Sequence, residues 1–403
     1  AHRNELVSQM SLHTAERGIK HRIIAPKASI AAIVAEHRNE FGRSFVNPDA
    51  NCSVAAVDTL IARRDVLTDW ARQIDRWTID EAHHVLKSNK WGRAVEMFPN
   101  ARGLGVTASP TRADGQGLGR HADGEFDEMI IGPSMRELIN IGALSDYELV
   151  CPESDLVVSD DDFNAEGDLS PKKGRLASKA SHIVGDIVQN YARFAYGKRA
   201  IVFVTDVETA HEVAANFNAV GIRAASVNGT TDTGVRRDMI KRFRDGRLDV
   251  LVNVDLFGEG FDVPACEVVI MARPTGSLAV YLQQFGRALR ILAGKKFGLI
   301  IDMVSNYKRH GFPDKPHYWT LDRRDKKAKQ EKDPEEIELR PCRECSRPFE
   351  RFYTACPYCG WVIPPPSGGV RELEKVDGDL VLLDRDKLAE MRAAVMLESP
   401  ASV

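Results

Sequence analysis

The sequence predicts an α/β protein whose parallel sheets are covered by helices on both faces, followed by a small cysteine-rich module. Short apolar runs alternate with segments of helical periodicity along most of the chain. Runs such as residues 200–204 are apolar at every position, which is typical of strands buried on both faces of a parallel sheet. Near the C-terminal end, four cysteines occur as two Cys-x-x-Cys pairs. We therefore expect two α/β domains and one small metal-binding module.

The composition sets limits on the kind of protein. A length of 403 residues suggests two or three domains, and the net charge of -3 excludes a strongly basic surface. Any nucleic acid would therefore bind in a local groove. No apolar run is long enough to cross a bilayer, the N-terminus has no apolar signal core, and the seven cysteines cannot all pair. We expect a cytoplasmic protein, and the absence of an initiator Met indicates a chain that starts inside a longer one.

The alternation is clearest in the second half. A strand at residues 200–204 precedes a helix that begins near Val207 and ends at Gly221. Further strands are predicted at 222–227, 248–254, 268–271 and 297–302, with helices around 235–243 and 278–285.

The first half predicts the same type of fold with fewer elements. A helix is expected at 5–15 and strands at 21–25, 54–57 and 103–107, while the polar, acidic stretch 159–173 reads as an exposed loop. Residues 323–336 read as a charged linker or exposed helix, residues 364–369 as a spacer and residues 387–397 as a short helix. The expected domains are 1–145, 146–306, a linker at 307–338, the cysteine module at 339–363 and a tail at 364–403.

The sequence Asp80-Glu81-Ala82-His83 follows a predicted strand. A carboxylate at the C-terminal edge of a parallel sheet is well placed to hold magnesium through water, which is the role expected for Asp80. Glu81 could orient and deprotonate an attacking water. His83 could connect this side of the cleft to Thr107 or Gln283.

A second group of residues lies far downstream. Arg287 and Arg290 are three residues apart on a predicted helix and would share one face. Phosphoryl transfer depends mainly on positioning and charge neutralisation, so guanidinium groups opposite the carboxylates would fit that reaction. Each short motif alone is more often a helix start or a solvated face, and only their combination favours an ATP-hydrolysing site.

These motifs resemble those of the superfamily-two helicases and translocases of the DEAH type, and are similar to RadD-like repair helicases and to motor subunits of type III restriction enzymes. The resemblance covers about residues 1–320 and rests on motifs in family order: 1–9, 55–60, 80–83, 107–112, 204–205, 258–264 and 283–290. It implies two RecA-like domains that use ATP and Mg²⁺ to move along nucleic acid.

The resemblance also implies roles for particular residues. Gly260, Asp262, Gln283 and Gly286 would lie near the nucleotide. His83, Thr107 and Ser109 would couple hydrolysis to strand movement. Arg3, Thr59 and Arg112 would contact nucleic acid, expected to be DNA with a single-stranded segment.

One expected motif is missing. The family's phosphate loop, Gly-x-Gly-Lys-Thr, does not occur in the sequence. We therefore expect a truncated first domain whose sheet lacks a central strand, and a chain that is inactive as an ATPase. A nonhydrolysing nucleic-acid-binding module and the motor subunit of a restriction complex remain the alternatives.

The cysteine module is a separate signal. Cys342, Cys345, Cys356 and Cys359 have the spacing of two metal-binding knuckles, which favours a structural zinc ribbon, with iron as the chemical alternative. Nearby basic and aromatic residues could hold a single strand by charge and stacking, or the aromatics could form the core of the module: Arg343, Arg347, Arg351, Phe352, Tyr353 and Trp361. The ribbon also offers a surface for a protein partner.

Overall fold

The computed structural model describes residues 4–112, 114–152, 158, 162–164, 169–181, 183–254, 266–323 and 338–364. Ala1–Trp361 forms one compact unit and Val362–Val403 a second. Several sequence-based expectations lie outside the described residues: Arg3, the motif at 258–264 with Gly260 and Asp262, most of the charged stretch 323–336, and the helix at 387–397.

Helices and strands alternate through most of the described chain. The helices are α1 Asn4–Glu16, α2 Lys27–Phe41, α3 Val57–Ala62, α4 Arg64–Ala71, α5 Lys90–Val95, α6 Met135–Asn140, α7 Pro171–Ala180, α8 Ile183–Phe194, α9 Val207–Ala219, α10 Thr233–Arg244, α11 Leu278–Gly286 and α12 Asn306–His310. The strands are β1 Arg22–Ile24, β2 Ser53–Ala55, β3 Arg76–Asp80, β4 Arg102–Val106, β5 Asp146–Val150, β6 Ala200–Phe203, β7 Ala224–Val227, β8 Val250–Asn253, β9 Val268–Met271, β10 Phe297–Asp302, β11 Leu339–Pro341 and β12 Pro348–Glu350.

A six-stranded parallel sheet forms the centre of residues 146–310, which we call the second lobe. Its strand order is β5-β10-β9-β6-β8-β7. Side chains of β6 alternate between two apolar clusters: Ile201 and Phe203 pack on the side of α10 and α11, whereas Val202 packs on the side of α8 and α9. The continuous apolar runs therefore form buried parallel strands, as the sequence predicts.

Residues 4–140, which we call the first lobe, contain two separate pairs of parallel strands. β1 pairs with β2, and β3 pairs with β4. No ladder joins the two pairs within the described residues. The pair β1–β2 packs against α1 and α2 through Val7, Ile23 and Ile33. The sequence predicts one sheet that lacks a central strand, and the structure has two separate strand pairs instead.

The strand β4 is unusually exposed. Leu104 and Val106 are 57% and 49% exposed, and only β3 pairs with β4 among the described strands. Beside β4 lies a cavity of about 1430 Å³ whose lining includes Trp77 and Ile131. Apolar side chains at such positions are normally covered by a further strand or helix.

Two local predictions are wrong. The stretch 159–173 was expected to be a loop, but its last part belongs to α7, which begins at Pro171; proline is favoured in the first turn of a helix, and Ser170 Oγ accepts a hydrogen bond from Lys173 N at 3.3 Å. Arg290 was expected to share a helix with Arg287. The short 3-10 helix Arg287–Leu289 ends before it, and Arg290 is extended, with φ -62° and ψ 137°.

The described helices include none that is long and apolar enough to cross a membrane.

Candidate nucleotide site and cysteine cluster

A sharp turn at the end of β3 presents two adjacent carboxylates. Glu81 adopts left-handed backbone angles, φ 55° and ψ 49°, immediately before the 3-10 helix Ala82–His84. Such angles are unfavourable for a residue other than glycine and often mark functional turns. Asp80 Oδ1 accepts a hydrogen bond from Glu81 N at 2.9 Å, which holds the turn.

Both carboxylates line a cavity of about 290 Å³ together with Arg287 and Arg290. The cavity therefore places two acidic and two basic side chains around one space. Although Arg290 lies outside the predicted helix, its side chain still reaches the same cavity as that of Arg287. The sequence analysis expected the motifs at 80–83 and 283–290 to form one site, and the structure brings residues of both motifs to the same cavity.

Helix α1 provides the remaining wall of this cavity, through Leu6, Gln9, Met10 and His13. Sequence reasoning assigned residues 1–9 to a strand-contacting motif and missed this wall. Leu6, Met10 and His13 follow the helical spacing i, i+4, i+7, which could have indicated a common face.

Direct contacts connect the two lobes at the cavity. Gln283 Nε2 donates to Glu81 Oε2 at 3.4 Å. Burial lowers the pKa of Arg287 below its usual value, and the charge of Glu81 opposes that shift. Burial alone lowers the pKa of Arg290. Since an arginine stays protonated in proteins, both groups are positive charges held in a partly desolvated space.

His83 links Glu81 to the loop after β4. His83 Nδ1 lies 3.0 Å from Thr107 Oγ1 and 3.5 Å from Glu81 Oε2. Thr107 Oγ1 also accepts a hydrogen bond from the backbone N–H of Ser109 at 3.2 Å. Of the two partners considered for His83 in the sequence, the structure shows a contact with Thr107.

The chain of contacts continues to Arg112. Its guanidinium donates to the backbone oxygen of His83 at 3.1 Å and to the carboxylate of Asp114 through Nε at 3.0 Å. Its side chain is 19% exposed. Arg112 is therefore connected to the site through His83, and its charge is already paired with Asp114.

Two other sequence-based candidates lie apart from the smaller cavity. Thr59 is a half-buried residue of α3 and does not line it. Gly286, the last residue of α11, borders the larger cavity beside β4.

The four module cysteines lie close together near the hairpin β11–β12. Their sulfur atoms all lie within 4.8 Å of one another, with Cys342 Sγ 3.6 Å from Cys359 Sγ and Cys345 Sγ 3.7 Å from Cys356 Sγ. A tetrahedral zinc with Zn–S bonds of about 2.3 Å requires sulfur–sulfur separations of about 3.8 Å. The donor set and its spacing therefore fit one tetrahedral metal ion.

Two tight turns produce this arrangement. Ser346 N donates to Cys342 O at 2.9 Å, and Gly360 N donates to Cys356 O at 2.9 Å. Ser346 and Gly360 both have positive φ, 58° and 74°. Each turn brings the two sulfurs of one Cys-x-x-Cys pair to the same side, and glycine adopts the required angle at little cost.

Two family models match the chain. Residues 1–112 match the model described as type III restriction enzyme, res subunit, and residues 182–292 match the helicase conserved C-terminal domain. The first match covers the turn at Asp80 and Glu81, and the second covers α11 with Gln283 and the arginines after it. The two matched segments thus contribute the two sides of the smaller cavity.

Individual relatives agree with these matches. A 51.5 kDa protein of a Lactococcus phage is 32% identical over 313 residues, 77% of this chain and 66% of the relative. The protein assigned as ATP-dependent helicase IRC3 of Saccharomyces cerevisiae is 26% identical over 64% of this chain and 37% of its own length. The chain thus spans about two-thirds of the length of the phage protein and little more than a third of the length of the yeast protein.

A solved structure shares the fold. A fragment assigned as the HsdR subunit of a type I restriction enzyme from Vibrio vulnificus superimposes with a TM-score of 0.52 at 20% identity, covering 77% of this chain and 65% of that one.

Proposed function

Because the chain belongs to the superfamily-two helicases and translocases, we propose that it is part of an ATP-driven motor that moves along or unwinds nucleic acid. The observation that carries this proposal is the meeting of Asp80 and Glu81 with Arg287 and Arg290 around one cavity, where Gln283 also contacts Glu81. Carboxylates on one lobe and guanidinium groups on the other are two of the components that phosphoryl transfer by such motors requires.

The residues of the cavity divide the chemistry between them. Asp80 would hold a magnesium ion through water, and that ion would neutralise charge on the phosphates of ATP. Glu81 would accept the proton of the attacking water, with Gln283 orienting its carboxylate. Arg287 and Arg290 would stabilise the negative charge that develops on the transferred phosphoryl group.

The contacts of His83 support a coupling role. A change at Glu81 can reach Thr107, Ser109 and Arg112 through adjacent polar contacts of His83 and Thr107. Because Arg112 is a nucleic-acid contact in the family motif, we propose that this connection transmits hydrolysis to the bound strand. We further propose Arg3 and Thr59 as strand contacts, and Gly260, Asp262 and Gly286 as nucleotide-binding positions.

The partner we propose is DNA with a single-stranded segment, and the setting is the cytoplasm. The match to a restriction-enzyme subunit favours a second candidate, a motor subunit that acts within a restriction complex. We also propose the domain limits 1–145 and 146–306 for two RecA-like domains, the first truncated, and 339–363 for a zinc ribbon. Cys342, Cys345, Cys356 and Cys359 would hold its Zn²⁺.

Phosphate release with magnesium, ATP and single-stranded DNA tests the motor function. Residues 1–403 contain no phosphate loop, so the chain alone should show no turnover. A fusion that adds a Gly-x-Gly-Lys-Thr strand and helix before Ala1 should hydrolyse ATP when DNA is present. In that fusion, Glu81→Gln should reduce turnover by about 10²- to 10⁴-fold, because the amide cannot accept a proton.

Glu40→Gln, an exposed change on α2, is the matched control and should leave turnover unchanged. DNA-stimulated hydrolysis by the unmodified chain would show that the site is complete without a phosphate loop. Near-normal hydrolysis in the Glu81→Gln fusion would show that Glu81 is not the base.

A further inference from the structure

The structure separates the aromatic residues of the cysteine module into core and surface. Phe349 is only 1% exposed and forms the core of the hairpin β11–β12. Phe352 and Tyr353, in the turn after β12, are 62% and 41% exposed. Of the three aromatics considered in the sequence, Phe352 and Tyr353 therefore lie on the surface and Trp361 is half-buried, while Phe349 fills the core.

The exposed pair is held in a defined position. The ring centroids of Phe352 and Tyr353 lie 4.4 Å apart, with 34° between their planes. Arg351 N donates to Glu338 O at 2.9 Å, Tyr353 N donates to Glu350 O at 3.3 Å, and the Arg340 guanidinium donates to the backbone oxygen of Tyr353. Backbone contacts on both sides of the rings reduce the entropy that binding would cost.

An exposed cation, Arg351, directly precedes the two rings in the chain. Arg351 forms an ion pair with Glu338, and their side chains are 65% and 53% exposed. Such a pair contributes little in water, so its guanidinium can exchange the carboxylate for another anion. Arg343, in the loop that joins the two strands of the hairpin, is also exposed. Aromatic faces beside arginine are the combination with which proteins hold single-stranded nucleic acid.

We propose that Phe352 and Tyr353 form a platform on which bases of a single strand stack, while Arg351 and Arg343 contact its phosphates. This inference rests on the proposed function, because it supplies the motor with a second contact on its strand. Between residues 338 and 353 there are four arginines and three glutamates, so the local excess of positive charge is small. Stacking must therefore provide most of the affinity, and the contribution of the rings should change little with salt.

Fluorescence anisotropy of a labelled oligodeoxythymidine, titrated with the full zinc-loaded chain, tests this. Phe352→Ala with Tyr353→Ala should raise the Kd by at least the factor expected for one stacked base, about 5- to 150-fold. Tyr196→Ala is the matched control, since Tyr196 is a 75% exposed tyrosine of the second lobe. It should leave the Kd unchanged.

Three further comparisons make the result specific. Phe352→Trp with Tyr353→Trp should retain binding. The unmodified chain should bind an abasic oligonucleotide of equal length as weakly as the alanine variant binds oligodeoxythymidine. The alanine changes should not raise the Kd for the abasic oligonucleotide any further. The zinc content of each variant should equal that of the unmodified chain, which confirms that the module is folded.

Equal Kd values for the unmodified chain and the alanine variant would overturn the stacking proposal and leave the motor function standing. Failure of the unmodified chain to bind any oligonucleotide would count against both. The chain could instead self-associate, and the alanine changes could abolish this self-association without changing the Kd for the oligonucleotide. That result would identify the pair as a protein-docking surface and would also overturn the proposal.

Discussion

Ser11→Ala should markedly destabilise the first lobe, because Ser11 connects two buried histidines. Ser11, His21 and His37 are each 0% exposed. Ser11 Oγ lies 2.6 Å from His21 Nε2 and 3.1 Å from His37 Nε2. These contacts fix α1 against β1 and α2, and α1 forms one wall of the proposed nucleotide site.

The hydrogen-bond pattern determines the size of the effect. Phe45 N donates to His37 Nδ1 at 3.3 Å, so His37 Nε2 carries a proton and donates to Ser11. His21 Nδ1 lies 3.0 Å from Ile19 O and donates to it, so the Ser11 hydroxyl donates to His21 Nε2. Alanine leaves one buried donor and one buried acceptor unpaired, at about 1–3 kcal/mol each, or about 2–6 kcal/mol in total.

Hydrogen exchange of the amides in α1 and β1 measures this loss locally. At the lower limit of about 2 kcal/mol, protection should fall by about 30-fold. Thr14→Ala is the matched control in the same helix: it removes only a bond from Thr14 Oγ1 to Met10 O, at 2.7 Å, and should change stability by less than about 0.5 kcal/mol. A Ser11→Ala chain with unchanged protection would refute the assigned network.

The same network predicts a dependence on pH. Burial, and secondly the neighbouring His21, lower the pKa of His37 below its usual value of 6.5. A histidine whose pKa is lower in the folded state stabilises the fold above pH 6.5, and this stabilisation is lost as the pH falls below that value. Exchange protection of α1 should therefore decrease between neutral and mildly acidic pH, more than that of α9 in the second lobe.

Two further predictions concern the cysteine module and α12. Metal analysis should give about one zinc per chain, and Cys345→Ser should reduce it strongly; free alkylation of all four module cysteines in the native chain would contradict this. Asn306 is fully buried, accepts from Thr275 N at 3.0 Å and donates to Arg273 O at 3.1 Å, just before α11. Asn306→Ala should cost about 2–4 kcal/mol and raise hydrogen exchange in α11, and unchanged exchange there would show that α12 does not position that helix.

The strands of the second lobe were predictable because they are buried on both faces. Residues 268–271 and 297–302 coincide with β9 and β10, since both are short runs that consist almost entirely of apolar residues. Local periodicity also located α11, because its apolar residues occupy one face. Both patterns involve only residues that are close together in the chain, so one sequence is enough to identify them.

The parts that escaped prediction depend on contacts distant in the sequence. The position of Arg290 follows from a 3-10 turn that ends at Leu289, and no residue nearby signals that ending. No sequence pattern connects His21 and His37 with Ser11, and the three side chains meet only when α1 packs against β1 and α2. The wall of the cavity formed by α1 was missed because its residues were assigned to a motif and not to a face.

The exposed strand β4 has a consequence for handling the protein. An edge of β4 that pairs with no other strand of the described residues, and beside which Leu104 and Val106 are exposed, can pair with the same edge of another molecule. The net charge of -3 provides little repulsion between molecules. Concentrated solutions of the chain should therefore form oligomers through this edge, and a lysine at Leu104 should keep the protein monodisperse in sedimentation experiments.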